Sequence, residues 1–284
     1  MEAAYGRGRP SPLLAAVVRE LRAAGFEPPA AEIAISSTLP EGEGLSSSAA
    51  LTVAVALALL ELAGRRAQRV EVARLCQRAE QHALGTRSGL LDQLASLCGS
   101  EGHAVRIDFR SLEITPVPLD LGGWRLGVTS LGETRELAAS GYNERRAECE
   151  RACSLLGIES LRSARGSDVD RLPEPLGRRL AHVLSENDRV DLAVAALGKG
   201  DWAGIGRLLD ASHVSLRDDY DASTGAVERT VVRLREAGTA GARMMGGGFG
   251  GSVLALFPPG AELPEGVRAV TPGGGAGLIM GGSH

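Results

Sequence analysis

The sequence predicts an α+β fold. Segments of helical periodicity and short strand-like segments interleave along its 284 residues without a regular strand–helix–strand alternation. A content of 44% hydrophobic and 23% charged residues is that of a soluble globular chain, too apolar for intrinsic disorder. The length fits one large or two medium domains at about 100 to 200 residues each.

Ser11 and Pro12 ahead of LLAAVVRELRAA, with Gly25 behind, supply an N-cap, a first-turn proline and a glycine stop. They predict a helix with Leu13, Leu14, Val17, Val18 and Leu21 inward. Alternation around Ile33 and Ile35 predicts a strand from Glu32 to Ser37. A Gly- and Pro-rich loop, Thr38 to Leu45, opens into an apolar helix from Ser46 to Ala63 that Gly64 ends. Its apolar run, Ala49 to Leu60, is too short to span a bilayer and reads as a buried helix. A helix from Val70 to Leu84 stops at Gly85, and GTRSG leads to another beginning near Leu90 or Leu91. Strands follow at His103–Phe109 and Trp124–Ser130. Helical periodicity then runs from Glu133 to Leu197, with Tyr142, Arg146, Cys149, Cys153 and Leu156 on one stripe, and from Trp202 to Tyr220. Arg243 to Phe257 reads as a glycine-rich loop and a strand, SVLALF. No solenoid repeat is present.

The net charge of -4 comes from 35 acidic and 31 basic residues without a long run of either sign, which argues against nucleic-acid and anionic-membrane partners. A small molecule is the expected ligand. Lys199, the only lysine, lies in the turn-like GKGDW, so neither a Walker A lysine nor a Schiff-base lysine is available. Cys76, Cys98, Cys149 and Cys153 form no CxxC pair and follow no secretory signal, so reduced thiols in the cytoplasm are expected. Cys149 and Cys153 lack the nearby His or second pair a metal site needs. His103, His182 and His213 read as structural.

Four stretches carry candidate chemistry. In PEGEGLSSSAAL, Pro40 to Leu51, a glycine-bearing loop enters a helix, bringing unpaired N–H groups, the positive end of the helix dipole and three serine hydroxyls to one point. That is an anion site, although one serine there reads equally as an N-cap and Glu41 and Glu43 repel a polyphosphate. Glu80, at the edge of an apolar face formed by positions 72, 76, 79 and 83, supplies with Ser48 the hard oxygens that magnesium takes. Asp92 falls in the first turn of a helix, where the dipole favours a carboxylate and where it is able to accept or orient a hydroxyl proton. Gly241 to Phe257 holds five glycines around Phe249, more than a bare hairpin turn needs, and permits close backbone approach to a ligand.

These residues together resemble the GHMP small-molecule kinases, and within them the galactokinases. Pro40-x-x-x-Gly44-Leu45-Ser46-Ser47-Ser48-Ala49-Ala50 is similar to the family's phosphate motif, Gly89-Leu90-Leu91-Asp92-Gln93 to its GIMDQ segment, and Arg243 to Gly251 to its RMTGGGFGG. GHAVRIDFRSLE from Gly102, ASGYNERRAECE from Ala139 and SHVSLRDDY from Ser212 fall in the family's order, so the likeness runs from about Gly25 to Phe257. The resemblance implies a two-lobed α+β kinase with ATP and sugar in a cleft between the lobes. It places a partial N-terminal, ATP-binding domain at 1–86, with the tail 266–284 a candidate to rejoin it, and a C-terminal domain at 87–265. Gly42, Glu43, Gly44, Leu45, Ser46, Ser47 and Ser48 would cradle the phosphates, and Ser48 and Glu80 would hold Mg2+. Asp92 would be the base, and Gly89, Asp92 and Tyr142 would meet the sugar. Gly246, Gly247, Gly248, Phe249 and Gly250 would form the glycine-rich loop. The product would be galactose 1-phosphate.

The sequence departs from the family in lacking the N-terminal PGRxNLIGEHxDY segment, so the N-terminal lobe is expected to be incomplete and activity reduced or absent. Met245 replaces a usual threonine and Ser88 a frequent cysteine. An N-acetylgalactosamine or other hexose kinase, and a paralogue that binds ATP or sugar without turnover, are the alternatives. No feature of the sequence sets an oligomeric state.

Overall fold

The computed structural model describes residues 11–39, 44–131 and 136–279, without the side chains of 136–139. They form two compact units, one of residues 11–39, 46–116 and 272–279, the other of residues 44–45 and 117–271.

In the first unit, helix α1 (Pro12–Ala23) begins where the sequence predicts, with the Ser11 hydroxyl accepting from the Leu14 N–H. Helix α2 (Ser47–Leu62) is apolar on every side because α1, α3 (Arg69–Leu84) and α4 (Leu91–Cys98) all pack on it. Val53, Ala56, Leu59, Val72, Cys76, Leu94 and Leu97 make the core between these helices. Each large aliphatic side chain buried there contributes about 1.5–3 kcal/mol. Strands β1 (His103–Asp108) and β2 (Glu113–Pro118) pair with each other, and the chain passes to the second unit within β2. Late in the chain it returns, where the Ala276 N–H donates to the Ser96 carbonyl at 2.7 Å.

Among the described residues the second unit holds a four-stranded antiparallel sheet, four α-helices and two short 3-10 turns. Its elements are β3 (Arg125–Ser130), α5 (Glu136–Leu156), α6 (Leu176–Lys199), α7 (Trp202–Asp218), α8 (Gly225–Glu236), β4 (Gly241–Met244), β5 (Ser252–Phe257) and β6 (Arg268–Val270). The strand order is β4-β5-β3-β6. Val253, Ala255 and Phe257 of β5 meet Val227, Val231 and Leu234 of α8 in a closed core.

The α+β class holds, and several details of the sequence reading do not. Residues 32–37 form no strand: Ile33 and Ile35 do alternate as half-buried positions, but a strand needs a hydrogen-bonding neighbour, and none pairs with them among the described residues. Of the α5 stripe, Cys149, Cys153 and Leu156 pack on a core that includes the buried Ala152, but Arg146 is exposed and Arg145 is buried in its stead. The boundary drawn at 86/87 falls between α3 and α4, which pack against each other, so the first unit extends to residue 116. β2, β4, β6 and α8 went unpredicted. β2 carries Pro116 and Pro118, which lack the N–H a ladder uses and so conceal a strand.

Candidate active site

In the first unit the α2 N-terminus is left open. Ser46 takes the N-cap position in the left-handed region, φ 56 and ψ 34, and no side chain among the described residues caps the helix. The first helical hydrogen bond runs from the Ala50 N–H to the Ser46 carbonyl. Ahead of it, the N–H groups of Ser47, Ser48 and Ala49 have no helical acceptor, and the helix dipole adds partial positive charge there. A non-glycine residue held at positive φ costs on the order of 1–3 kcal/mol and is characteristic of ligand-binding loops. The serine N-cap alternative is thereby displaced: Ser46 shapes the turn with its backbone rather than capping it. Gly44 is also left-handed, φ 73, and in the second unit a Cβ on it would stand 2.9 Å from the Gly251 Cα. Pro40, Glu41, Gly42 and Glu43 lie outside the described residues, and Leu45 is half-buried.

Behind this opening lies a polar chain in an apolar setting. α3 turns Val72, Cys76 and Ala79 into the core, and Glu80, on the same side, is buried with them. The Ser48 hydroxyl donates to Glu80 Oε1, and Gln93 Nε2 donates to Glu80 Oε2. One carboxylate thus ties together the start of α2, the end of α3 and the first turn of α4. Burial above all, together with the Glu80 charge and against a hydrogen bond with Thr52, pushes the neighbouring Cys76 thiol up to about 12, so it stays an uncharged core group.

These donors suit a hard divalent cation. A hydroxyl, a carboxylate and the buried Gln93 Oε1, which has no hydrogen-bond partner among the described residues, are all oxygen groups. No three His, Cys, Asp or Glu side chains gather among the described residues.

Asp92 lies next to Gln93 in the first turn of α4 and is exposed, and Gly89 just before the helix is exposed as well. The loop that leads to them is clamped. Gln77 and Gln81, one turn apart on α3, both donate Nε2–H to the Ser88 carbonyl, at 2.9 and 2.8 Å. Sequence reasoning missed this pair; the signal was two amides at i and i+4 flanking Glu80.

In the second unit the glycine-rich loop joins β4 to β5, closed by the Met245 N–H donating to the Ser252 carbonyl at 2.9 Å. Gly246, Gly248, Phe249, Gly250 and Gly251 all have positive φ. A Cβ on Gly247 would stand 2.5 Å from the Tyr142 ring, and one on Gly141 would stand 2.6 Å from the Phe249 ring, so neighbouring residues of α5 interlock with the loop. The Phe249 N–H donates to the Ala222 carbonyl at 2.7 Å. The turn bearing Ala222 is fixed from beneath by buried charges: Arg145 and Arg179 both bond Glu148, Arg179 Nη1 donates to the Asp219 carbonyl at 2.6 Å, and both guanidinium groups approach Asp221.

Comparison with known proteins identifies the family. Residues 12–100 match the family described as "GHMP kinases N terminal domain", and residues 193–275 match "GHMP kinases C terminal". A galactokinase of Thermotoga neapolitana is 41% identical over 249 residues, covering 87% of this chain and 71% of its own. One of Streptomyces coelicolor is 42% identical over 263 residues, covering 90% and 67%. The crystal structure of Lactococcus lactis galactokinase complexed with galactose matches with a TM-score of 0.79 at 31% identity, covering 89% of this chain and 68% of that one. Mevalonate kinase of L. major, at 20% identity and a TM-score of 0.57, shares the fold. The chain belongs to the GHMP kinases, and within them to the galactokinase family.

Proposed function

We propose that the chain transfers the γ-phosphoryl group of ATP to the anomeric hydroxyl of galactose, giving galactose 1-phosphate and ADP. The observation that carries this reading is the Ser48–Glu80–Gln93 chain at an uncapped helix start, with Asp92 exposed beside it. The first-turn N–H groups of α2 receive phosphate oxygens, and their fixed dipoles stabilise charge on the transferring group without reorganisation. Asp92 accepts the proton of the anomeric hydroxyl as its oxygen forms the new bond to phosphorus. Ser48 and Glu80 hold Mg2+, which when bound neutralises charge on the phosphates. Gly89 and Tyr142 contact the sugar. The loop from Gly246 to Gly250 is read as the second unit's ligand-binding loop, and Gly42 to Leu45 are read as part of the phosphate motif.

The test is formation of sugar 1-phosphate, followed by phosphorus NMR, with MgATP and a panel of galactose, N-acetylgalactosamine and glucose. Galactose 1-phosphate as the main product supports the reading. Preferred turnover of another sugar overturns the substrate, and ATP binding without any product overturns the activity.

A further inference from the structure

Gln93 and Asp92 are neighbours in α4 with opposite surroundings: Asp92 faces solvent, and Gln93 is 0% exposed. The Gln93 Nε2–H donates to Glu80 Oε2, while Oε1, equally buried, accepts from no group among the described residues. A buried amide oxygen without a donor costs about 1–3 kcal/mol, a penalty that a methionine of similar size would avoid. Rotating the amide does not relieve it, because Oε1 would then meet a carboxylate oxygen, one acceptor against another. An unsatisfied acceptor is thus retained on the same polar chain as Ser48 and Glu80. The missing partner must donate a hydrogen bond and tolerate a carboxylate alongside. The water shell of a divalent cation does both, whereas an anion is repelled by Glu80.

We propose that Gln93 is a positioning residue for a divalent cation: Nε2 holds the Glu80 carboxylate in place, and Oε1 accepts a hydrogen bond from a water of the ion's shell. This rests on the reading of Ser48 and Glu80 as the groups that hold the ion. Partners of this outer-shell kind are worth about 10- to 100-fold in metal affinity.

The experiment titrates the full chain with Mn2+, following the electron paramagnetic resonance signal of free ion, with a non-hydrolysable ATP analogue present. Gln93→Met is expected to weaken Mn2+ binding about tenfold and to leave analogue affinity without metal unchanged. Gln93→Glu keeps an acceptor oxygen of the same reach but replaces the N–H donated to Glu80 with a second carboxylate oxygen, so without metal its melting temperature is expected to fall, and saturating Mn2+ is expected to raise it by more than in the wild type, because the ion relieves the paired carboxylates. Wild-type Mn2+ affinity in Gln93→Met, or a Mn2+-induced rise in Gln93→Glu no larger than the wild type's, overturns the role of Gln93. If circular dichroism shows Gln93→Met unfolded, the Mn2+-induced rise in Gln93→Glu decides. Binding lost only in Glu80→Gln overturns Gln93 and leaves the cation site standing; no binding by the wild type overturns both.

Discussion

The Ser48 hydroxyl donates to the Glu80 carboxylate, joining the first turn of α2 to the last turns of α3. That bond sets the start of α2 and a buried carboxylate in fixed relation before any ligand arrives. Glu80→Gln removes the charge and Ser48→Ala the hydroxyl. Each is expected to lower kcat by about 100- to 1,000-fold, in the range for groups acting on charge in the transition state. Ser48→Ala is expected to cost only about 1 kcal/mol of stability, since one hydrogen bond is lost. Steady-state kinetics with thermal unfolding of the same variants checks both.

Gly248 permits the tight approach of the glycine-rich loop to the 219–222 turn. At φ 85, a Cβ there would stand 2.6 Å from the Ala222 carbonyl oxygen and as close to the Met244 Cε. Gly248→Ala is expected to destabilise the protein by about 2 kcal/mol or more, from left-handed strain and overpacking together. Urea unfolding reads it; unchanged stability would show that the loop yields freely.

Glu148 is the hub beneath that turn. Burial raises its pKa, but hydrogen bonds and charge from Arg179 and Arg145 outweigh it and hold the carboxyl below its ordinary 4.5. Its stabilisation is therefore fully present above that value and is lost as pH falls through the lower folded one. Glu148→Gln leaves two buried guanidinium groups short of their counter-ion and is expected to cost about 3–5 kcal/mol at neutral pH. The difference from wild type should shrink in acid, as denaturant titrations at several pH values will show.

His182 adds a second acid sensitivity. Burial drives its imidazole down from 6.5 to about 4, against the opposing pull of the Glu186 carboxylate. Neutral, it stacks on Tyr220 at 4.4 Å, with Nδ1 3.0 Å from the Ser215 hydroxyl, which donates to Asp219. Between those two pH values the unfolded chain takes up a proton that the folded chain refuses. Stability is thus full above 6.5 and declines as pH falls toward 4. His182→Gln is expected to flatten the stability profile in that window, measured as the slope of unfolding free energy against pH.

Local physics was legible in the sequence and partnership was not. Ser11-Pro12, Gly85 and the apolar run of α2 act through their own turns, so the α1 cap, the α3 stop and the buried helix appear where expected. Glu80 was readable because one face of α3 determines what lies at its edge. Residues 32–37 show the limit: alternation marks which side chains turn inward and says nothing about a neighbouring strand. Gln93 and the Gln77–Gln81 pair stand in the sequence as residues without partners, because an amide's role depends on which carbonyl or carboxylate the tertiary fold brings to it.

Asp92 tests the central claim most directly. Its side chain is exposed, so Asp92→Asn should leave the melting temperature near the wild-type value while removing the proton acceptor. Single-turnover phosphoryl transfer from MgATP to galactose is expected in the wild-type chain and to fall about 1,000-fold or more in the variant. Equal rates in the two proteins would contradict the account.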